Sequence, residues 1–265
     1  MTFHIVTLFP NAFDSYLKES ILKRALEDGK IAVKFYNPRD FADNAYKRID
    51  RAPYGGGPGM VIQAEPVIRA VEKAILSSPR MRVRREYMER RKTFSARFRE
   101  SEKVDSPCNG SRLDSRLRGN DTTVLNSKPK IIWLSPSGKQ FTNEYAKKTA
   151  QKFSDIIIIC GRYEGIDARV KKAFKVEEVS VGPFVLTGGE VPAMVMIDCI
   201  SRQVAGVLGC AESLEEERIA SPDVYTRPEV FEYKGKKLRV PRVLLSGNHK
   251  KIDVWRGKKK HREMQ

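Results

Sequence analysis

The chain has 265 residues, 40% of them hydrophobic, and it carries 50 Lys and Arg against 33 Asp and Glu, a formal net charge of +17. This length is sufficient for one large or two modest domains with a real core. No run approaches the ~20 apolar residues that cross a bilayer. The first residues read as a strand rather than a leader, so we expect a cytoplasmic protein without membrane segments.

The cysteines, histidines and basic residues narrow the function classes further. The four cysteines form no C-x-x-C pair and only three histidines occur, which disfavours a disulfide framework or a zinc site. The positive charge is concentrated near the carboxyl end and in residues 78–129, which hold fourteen Lys and Arg and seven Asp and Glu. Such an excess indicates a polyanionic partner, usually nucleic acid, with a solubilising surface as the alternative.

Strands and helices alternate in the predicted secondary structure up to residue 76. We predict strands at 3–9 and 31–36, helices at 11–26 and 65–76, and a glycine-rich loop over 38–60. A loop of that length is usually functional or disordered. The Arg-rich segment 78–129 then breaks the pattern. Because it has few aliphatic residues to offset its ordering entropy, we predict a basic, mostly disordered insertion there.

The alternation resumes after this segment. We predict strands at 131–134, 155–160, 176–181 and 184–187, and helices at 142–153, 166–174 and 190–207. The aliphatic run at residues 156–159 lacks polar alternation, which indicates a strand buried on both faces, as in a parallel α/β sheet. Residues 210–223 read as a polar linker to a second unit, which closes with a basic helix over residues 248–260.

Two of these strands end in glycine-rich turns. Gly161 and Gly165 follow the strand with the aliphatic run, and Gly188 and Gly189 follow the last predicted strand. Ligands of parallel sheets collect at the carboxyl ends of strands, and glycine allows close approach of the backbone. Neither turn has a G-x-G-x-x-G or P-loop pattern. We therefore predict a ligand pocket lined by main-chain amides, with two simple connecting turns as the alternative.

Nine short motifs occur along the chain outside residues 78–129. They are the segments 8–10 (LFP), 38–41 (PRDF), 53–60 (PYGGGPGM), 134–136 (LSP), 160–167 (CGRYEGID), 186–194 (LTGGEVPAM), 206–209 (GVLG), 225–228 (YTRP) and 244–249 (LLSGNH). Each motif is weak alone, but together in this order they are highly specific. In these motifs and their order the chain resembles the bacterial tRNA (guanine-N(1)-)-methyltransferases of the SPOUT superfamily, and the resemblance covers nearly the whole chain outside residues 78–129.

The resemblance implies an α/β fold with a SPOUT-type parallel sheet, a deep trefoil knot and a small, mainly helical, truncated carboxyl-terminal domain. It implies a knotted methyltransferase domain over residues 1–209, interrupted by the insertion at 78–129, a linker over 210–223 and a tRNA-binding domain over 224–265. It also implies a homodimer that methylates ring nitrogen one of the guanine 3′ of the anticodon of tRNA, at position 37. The family requires Mg²⁺ for turnover, for which the sequence indicates no ligands.

By position, the resemblance places the cofactor S-adenosylmethionine against the glycine-rich turns. The implied contacts are Trp133, Leu134, Ser135, Pro136, Gly161, Tyr163, Glu164, Gly165, Val181, Gly182, Pro183, Phe184, Val185, Leu186, Gly188 and Gly189. The tRNA is expected to bind basic residues of the last helix, namely Lys250, Lys251, Arg256, Lys258, Lys259 and Lys260.

Methylation of guanine at N1 requires two further groups. N1 carries a proton at neutral pH, so a general base such as a carboxylate must remove it. A fixed guanidinium would stabilise the negative charge that develops on the carbonyl oxygen. The resemblance implies Arg202 as this cation and Glu217 as the base, in place of the family's usual Asp. Because the segment after Glu217 is several residues short, Glu215 or Glu216 is an alternative base.

Two other functions are compatible with this sequence. A non-catalytic RNA-binding module on the same scaffold would follow if the change at Glu217 had abolished the chemistry, although Arg202 and the cofactor turns are intact. A knotted methyltransferase acting on ribosomal RNA or on a ribose hydroxyl is the second alternative, although the motifs at 225–228 and 244–249 favour tRNA.

Overall fold

The computed structural model describes residues 1–78, 128–208 and 223–262, with side chains described as far as residue 256. It divides into two compact units, Met1–Val207 and Leu208–Gln265. Most of the predicted insertion at 78–129 and of the predicted linker at 210–223 therefore lies outside the described residues. No described helix is long and apolar enough to cross a membrane.

A parallel sheet forms the centre of the first unit and confirms the predicted α/β class. Its strands are β1 (Thr2–Val6), β2 (Ala32–Tyr36), β5 (Lys130–Gln140), β6 (Asp155–Ile159) and β7 (Glu177–Ser180), while β3 (Asp50–Arg51) and β4 (Val61–Ile62) form a separate antiparallel pair. The spatial order is β2-β1-β6-β5-β7, and every pairing in this sheet is parallel. All five residues of the central strand β6 are buried.

Helices cover both faces of the sheet because β6 is apolar on both. They are α1 (Asp14–Leu17), α2 (Ser20–Glu27), α3 (Ala64–Ser77), α4 (Asn143–Lys152), α5 (Arg169–Ala173) and α6 (Glu190–Arg202). Ile156 and Ile158 belong to one core cluster with Met196 of α6. Ile157 and Ile159 belong to a second cluster, which includes apolar residues of α3. Successive side chains of a strand point to opposite faces, so a run without polar residues fits a strand covered on both sides.

The helix predicted over residues 11–26 is interrupted in the structure. Pro10–Phe13 form a 3-10 turn, and α1 and α2 are separated because Glu19 is extended and Ser20 has a φ of 49°. The interruption directs Leu17 and Leu22, one from each helix, into the same core cluster. The apolar spacing therefore predicts the buried positions, whereas the change of direction comes from packing against the sheet.

The strand predicted at residues 184–187 is wrong. These residues lie in turns beyond β7, and Phe184, Val185 and Leu186 are 53, 82 and 41% exposed. β7 is one of the two edge strands of the sheet, and Pro183 has no N–H to donate to a ladder. The apolar run therefore continues past the sheet as a loop.

The other predicted elements are present with shifted ends. The helix expected to reach residue 207 ends at Arg202, and β5 continues to Gln140 through an irregularity between Leu134 and Lys139. Pro136 and Gly138 read as strand breakers in the sequence, which is why this extension was not predicted. A Cβ atom on Gly138 would lie 2.5 Å from the backbone nitrogen of Val179, so the extension needs glycine to approach β7.

A buried polar cluster closes the amino-terminal end of β6. His4 Nε2 lies 3.2 Å from Asp155 Oδ1, and His4 Nδ1 lies 3.0 Å from the hydroxyl of Tyr36. Burial raises the pKa of Asp155, but hydrogen bonds from His4, Ser154 and Ser78 outweigh it and hold that pKa below its usual value. Asp155 therefore stays ionised and fixes the start of β6 against the end of α3.

The second unit contains a hairpin followed by a helix. The hairpin strands are β8 (Val230–Tyr233) and β9 (Lys236–Arg239), and after a 3-10 turn at Arg242–Leu245 comes α7 (His249–Arg262). Ile252 of α7 is buried, and the rings of Tyr225 and Trp255 lie 6.3 Å apart. The basic helix is present as predicted, whereas the hairpin was not predicted.

Candidate active site

The two glycine-rich turns meet at the carboxyl-terminal edge of the sheet. Gly189 N donates a hydrogen bond to Gly161 O at 2.9 Å, and Arg162 and Gly188 form an isolated antiparallel bridge. A Cβ atom on Gly189 would lie 2.6 Å from Cys160 Cα. Because the φ of Gly189 is −83°, this close contact, rather than an unusual backbone conformation, is what requires glycine.

Between these turns lies a cavity of about 300 Å³. All the residues for which cofactor contact is predicted line it, except Trp133 and Pro183. Trp133 is buried instead, with Lys171 Nζ 4.9 Å from its ring centroid. The lining also includes residues that the sequence did not indicate, namely Arg162, Val179, Ser180, Thr187 and Pro192. Main-chain polar groups and apolar side chains thus face one space.

The glycine-rich loop at residues 53–60 lies beside the first turn. Glu164 N donates to Met60 O at 3.0 Å. A Cβ atom on Gly59 would lie 2.5 Å from Glu164 Cγ, a side chain that can move, and the φ of Gly59 is +86°. The positive φ is therefore what requires glycine here. The long loop therefore supports Glu164, which supplies a carboxylate to the cavity wall.

A buried ion pair joins the two turns to the end of β1. The Glu190 side chain is 3% exposed and accepts hydrogen bonds from Arg162 Nε at 2.9 Å and from Thr7 Oγ1 at 2.8 Å. The guanidinium carbon of Arg162 lies 4.7 Å from the ring centroid of Phe9, which is within cation–π range. The arrangement unites residues from three parts of the sequence, and no spacing within the chain indicates it.

Cys160 lies next to this ion pair but is not a candidate nucleophile. Its side chain is buried, and burial together with the nearby Glu190 raises the pKa of the thiol well above its usual value. A thiol that stays protonated reacts poorly. Chemistry at this edge must therefore come from other groups.

A comparison with known protein families identifies the family of this chain. The family model of tRNA (Guanine-1)-methyltransferase TrmD matches residues 1–88 and 115–265. The chain belongs to this family. Residues 89–114, which the family model leaves unmatched, fall within the predicted insertion, and the cavity-lining turns fall within the matched part.

Curated relatives of the family match nearly the whole chain. A tRNA (guanine-N(1)-)-methyltransferase of Clostridioides difficile is 41% identical over 260 residues, which cover 97% of this chain and 90% of the relative. One from Geotalea uraniireducens is also 41% identical, over 97% of this chain and 84% of the relative. One from Campylobacter jejuni subsp. doylei is 39% identical, over 95% of this chain and 88% of the relative. The resemblance seen in the motifs is confirmed.

Of the residues to which the family resemblance assigns catalysis, the structure describes Arg202, which does not line this cavity. Arg202 lies in the last turn of α6, which begins next to Gly189. At a rise of about 1.5 Å per residue, about 18 Å of helix separates Arg202 from the cavity end of α6, and Arg202 is not among the lining residues. Glu215, Glu216 and Glu217 lie outside the described residues, so their roles stay predictions.

The residues predicted to bind tRNA lie in the second unit. Lys250, Lys251 and Arg256 are exposed on α7, and Arg256 forms an ion pair of 3.7 Å with Asp253. The side chains of Lys258, Lys259 and Lys260 are outside the described part. Within residues 1–78, 128–208 and 223–262, no group of three or more His, Cys, Asp or Glu side chains is placed to hold a metal ion, and we assign no residue to Mg²⁺.

We expect Arg162→Met to lower the free energy of unfolding by about 3 kcal/mol, because it removes the charged partner of the buried Glu190 carboxylate. The double variant Arg162→Met/Glu190→Gln should recover much of this loss, since it leaves no uncompensated charge. Urea unfolding followed by circular dichroism measures both.

Arg169→Met is the matched control for this experiment. Arg169 pairs with Asp167 at 2.6 Å in the same region, but its side chain is 69% exposed, and exposed ion pairs contribute little. Equal losses for Arg162→Met and Arg169→Met would contradict the role given to the buried pair.

Proposed function

We propose that this chain transfers a methyl group from S-adenosylmethionine to N1 of guanine in tRNA, at position 37 on the 3′ side of the anticodon. The observation that carries the proposal is the cavity between two glycine-rich turns at the carboxyl edge of the sheet, in a chain of this methyltransferase family. The names of the relatives, all tRNA (guanine-N(1)-)-methyltransferases, speak against ribosomal RNA or a ribose hydroxyl as the target.

The cavity has the chemistry that this cofactor needs. Its volume of about 300 Å³ is within the range of small-molecule sites, which are mostly apolar with a few placed polar groups. Here Leu134, Phe184 and Leu186 offer apolar surface, while the glycines expose main-chain groups. S-adenosylmethionine supplies the methyl group, which leaves its sulfur and forms a bond to N1. The carboxylate of Glu164 is the only one among the described lining residues.

Residues of this chain remove the proton of guanine N1 and stabilise the negative charge that develops on the guanine. The carboxylate of Glu217 accepts the proton of guanine N1, so that a lone pair becomes available for the methyl group. The guanidinium of Arg202 faces the guanine carbonyl oxygen, where the negative charge develops. Glu190 is unsuited to the role of base, because its carboxylate is buried and already accepts hydrogen bonds from Arg162 and Thr7.

The position of Arg202 supports a homodimer with composite sites. Arg202 lies about 18 Å along α6 from the cavity of its own chain. It would most simply contribute to the cavity of a second copy of the chain. α6 also exposes Val191 and Val195, 54 and 46% exposed and one turn apart, and next to them Tyr16 donates to Asp198 at 2.8 Å. Apolar side chains in one stripe of a helix favour a protein partner.

The finer features of the fold are part of the same proposal. The approach of Gly189 to Cys160 and Gly161 supports a chain that is threaded as a trefoil knot at this edge. We place the knotted methyltransferase domain at residues 1–209 and the tRNA-binding domain at 224–265, joined by a linker at 210–223. The exposed lysines of α7 support the assignment of tRNA binding to the second domain.

We expect Leu186→Arg to weaken S-adenosylmethionine binding at least about tenfold, because the introduced guanidinium would repel the positively charged sulfonium of the bound cofactor. Leu186 is 41% exposed, so the melting temperature should change little. Isothermal titration calorimetry without RNA measures the affinity. Leu245→Arg, a change at a leucine of similar exposure in the second unit, is the control and should bind as the wild type does.

We expect Glu217→Gln to slow single-turnover methylation of tRNA by about 10²–10⁴, the usual contribution of a general base, with unchanged cofactor affinity. Glu215→Gln, Glu216→Gln and Glu164→Gln are the matched controls. If Glu216→Gln has the largest effect, the base is one residue away. If Glu164→Gln alone abolishes the reaction at saturating cofactor, the base lies in the cavity wall.

A heterodimer of Arg202→Ala and Leu186→Arg chains tests the composite site. At a cofactor concentration well below the Kd of the Leu186→Arg chain, each homodimer should have little activity. In the heterodimer, one site combines the intact cavity of the first chain with the intact Arg202 of the second, so we expect about half the wild-type activity. Co-expression with two affinity tags, followed by a methylation assay, measures this. An inactive heterodimer would place Arg202 at the cavity of its own chain.

A further inference from the structure

The β8–β9 hairpin is a short ribbon with a tight turn. Val230 pairs with Arg239 and Tyr233 with Lys236 in an antiparallel register. The two residues between the strands, Lys234 and Gly235, have φ values of 49° and 74°. Positive φ at both central residues is what a two-residue type I′ hairpin turn requires. The register of the ribbon, and so the side chains on each face, is thereby fixed.

One face of this ribbon is aromatic and apolar, and it is exposed. Directly paired residues and alternate residues along a strand share a face, so Phe231, Tyr233, Lys236 and Leu238 lie together. The exposed fractions of Phe231, Tyr233 and Leu238 are 54, 59 and 45%. An isolated two-stranded hairpin is marginally stable, so a face of this kind indicates that something binds to it.

The ribbon is also strongly basic. It holds Lys234, Lys236, Lys237 and Arg239 against a single acidic residue, Glu232. None of the four cations has a carboxylate within 4.0 Å among the described residues. The Nζ atom of Lys234 lies 5.4 Å from the ring centroid of Tyr233. Lys236 lies on the aromatic face and Lys234 in the adjoining turn, whereas Lys237 and Arg239 lie on the opposite face. Positive charge therefore adjoins the exposed aromatic surface.

We infer that the hairpin binds unpaired nucleotides of the tRNA substrate, with bases stacked on Tyr233 and Phe231 and phosphates beside the lysines. Aromatic side chains flanked by cations are the usual means of binding single-stranded nucleic acid. Bases within a duplex already stack on one another, so the aromatic face selects loop nucleotides. A second copy of the chain, with the same net charge of +17, would bring like charges to this face.

This inference rests on the proposed function, since the tRNA is taken from it, and it adds a substrate-binding element outside α7. The hairpin is a positioning element rather than a catalytic one. Its loss should weaken tRNA binding and leave cofactor affinity unchanged. The rate of methylation at saturating tRNA should also stay near that of the wild type.

Substitutions of the aromatic residues test the stacking. We expect Tyr233→Ala and Phe231→Ala each to weaken tRNA binding by about 5- to 100-fold, the usual effect of removing one base–aromatic stack. Tyr233→Trp should keep the affinity, and bound tRNA should quench the additional indole emission relative to the wild type. Fluorescence anisotropy of labelled tRNA measures the affinity, and circular dichroism checks the fold of each variant.

Substitutions of the lysines test the charge. Log affinity falls as log salt rises. The triple variant Lys234→Ala/Lys236→Ala/Lys237→Ala should make this slope about 2 less steep, at about 0.7 for each lost contact to single-stranded phosphate. The control is Lys18→Ala/Lys148→Ala/Lys152→Ala, which removes the same charge from exposed positions of the first unit. Its slope should equal that of the wild type.

The outcomes separate this inference from the proposed function. If the wild type with S-adenosylmethionine neither binds nor methylates tRNA, the proposed function fails. If the wild type methylates tRNA and all hairpin variants bind it equally well, only the hairpin inference is overturned. Unquenched emission of Tyr233→Trp at saturating tRNA would also overturn the stacking. Should Tyr233→Ala unfold, the Trp and triple-lysine variants decide the question.

Discussion

One buried carboxylate organises the candidate site. Glu190 is almost inaccessible to water and is held by Arg162 and Thr7, which follow β6 and β1. A charge in that position is tolerable only while its partners stay in place. Conformations in which either glycine-rich turn moves away from Glu190 are therefore strongly disfavoured. As a result, the cavity between the turns is present in the folded chain before any ligand arrives, which favours tight binding.

The parallel sheet and the glycines determine the rest of the geometry of the site. The parallel order of the strands brings Gly161 and Gly189 to one edge although they are far apart in the chain. The close contact with the Cys160 backbone requires glycine at position 189, whereas the positive φ requires it at position 59. The second unit contributes charge and exposed aromatic surface rather than cavity walls. Chemistry and RNA binding can thus be altered separately by substitution.

Much of the fold, and the position of the pocket at the glycine-rich turns, could be predicted because they depend on local sequence, whereas the individual lining residues were predicted from the family resemblance. The aliphatic run of β6 indicates burial on both faces, and glycines after strands indicate the ligand edge. Contacts between distant residues could not be predicted in this way. The pairing of Arg162 with Glu190 and the turning of residues 184–187 away from β7 depend on which strands neighbour each other. The hairpin was missed because lysines and a single glycine obscure its alternation.

The polar cluster around Asp155 has a consequence for how this family can vary in length. Ser78 bonds to Asp155 at the amino-terminal end of β6, and β5 begins at Lys130, opposite Ile156. The segment between residues 78 and 130 thus leaves and rejoins the fold at the end of the sheet opposite the glycine-rich turns. At about 3.3 Å per residue, the five residues of β6 separate that junction from the cavity by about 16 Å. Residues added or removed between 78 and 130 therefore enter the chain at the end of β6 far from the strand ends that carry the cavity wall.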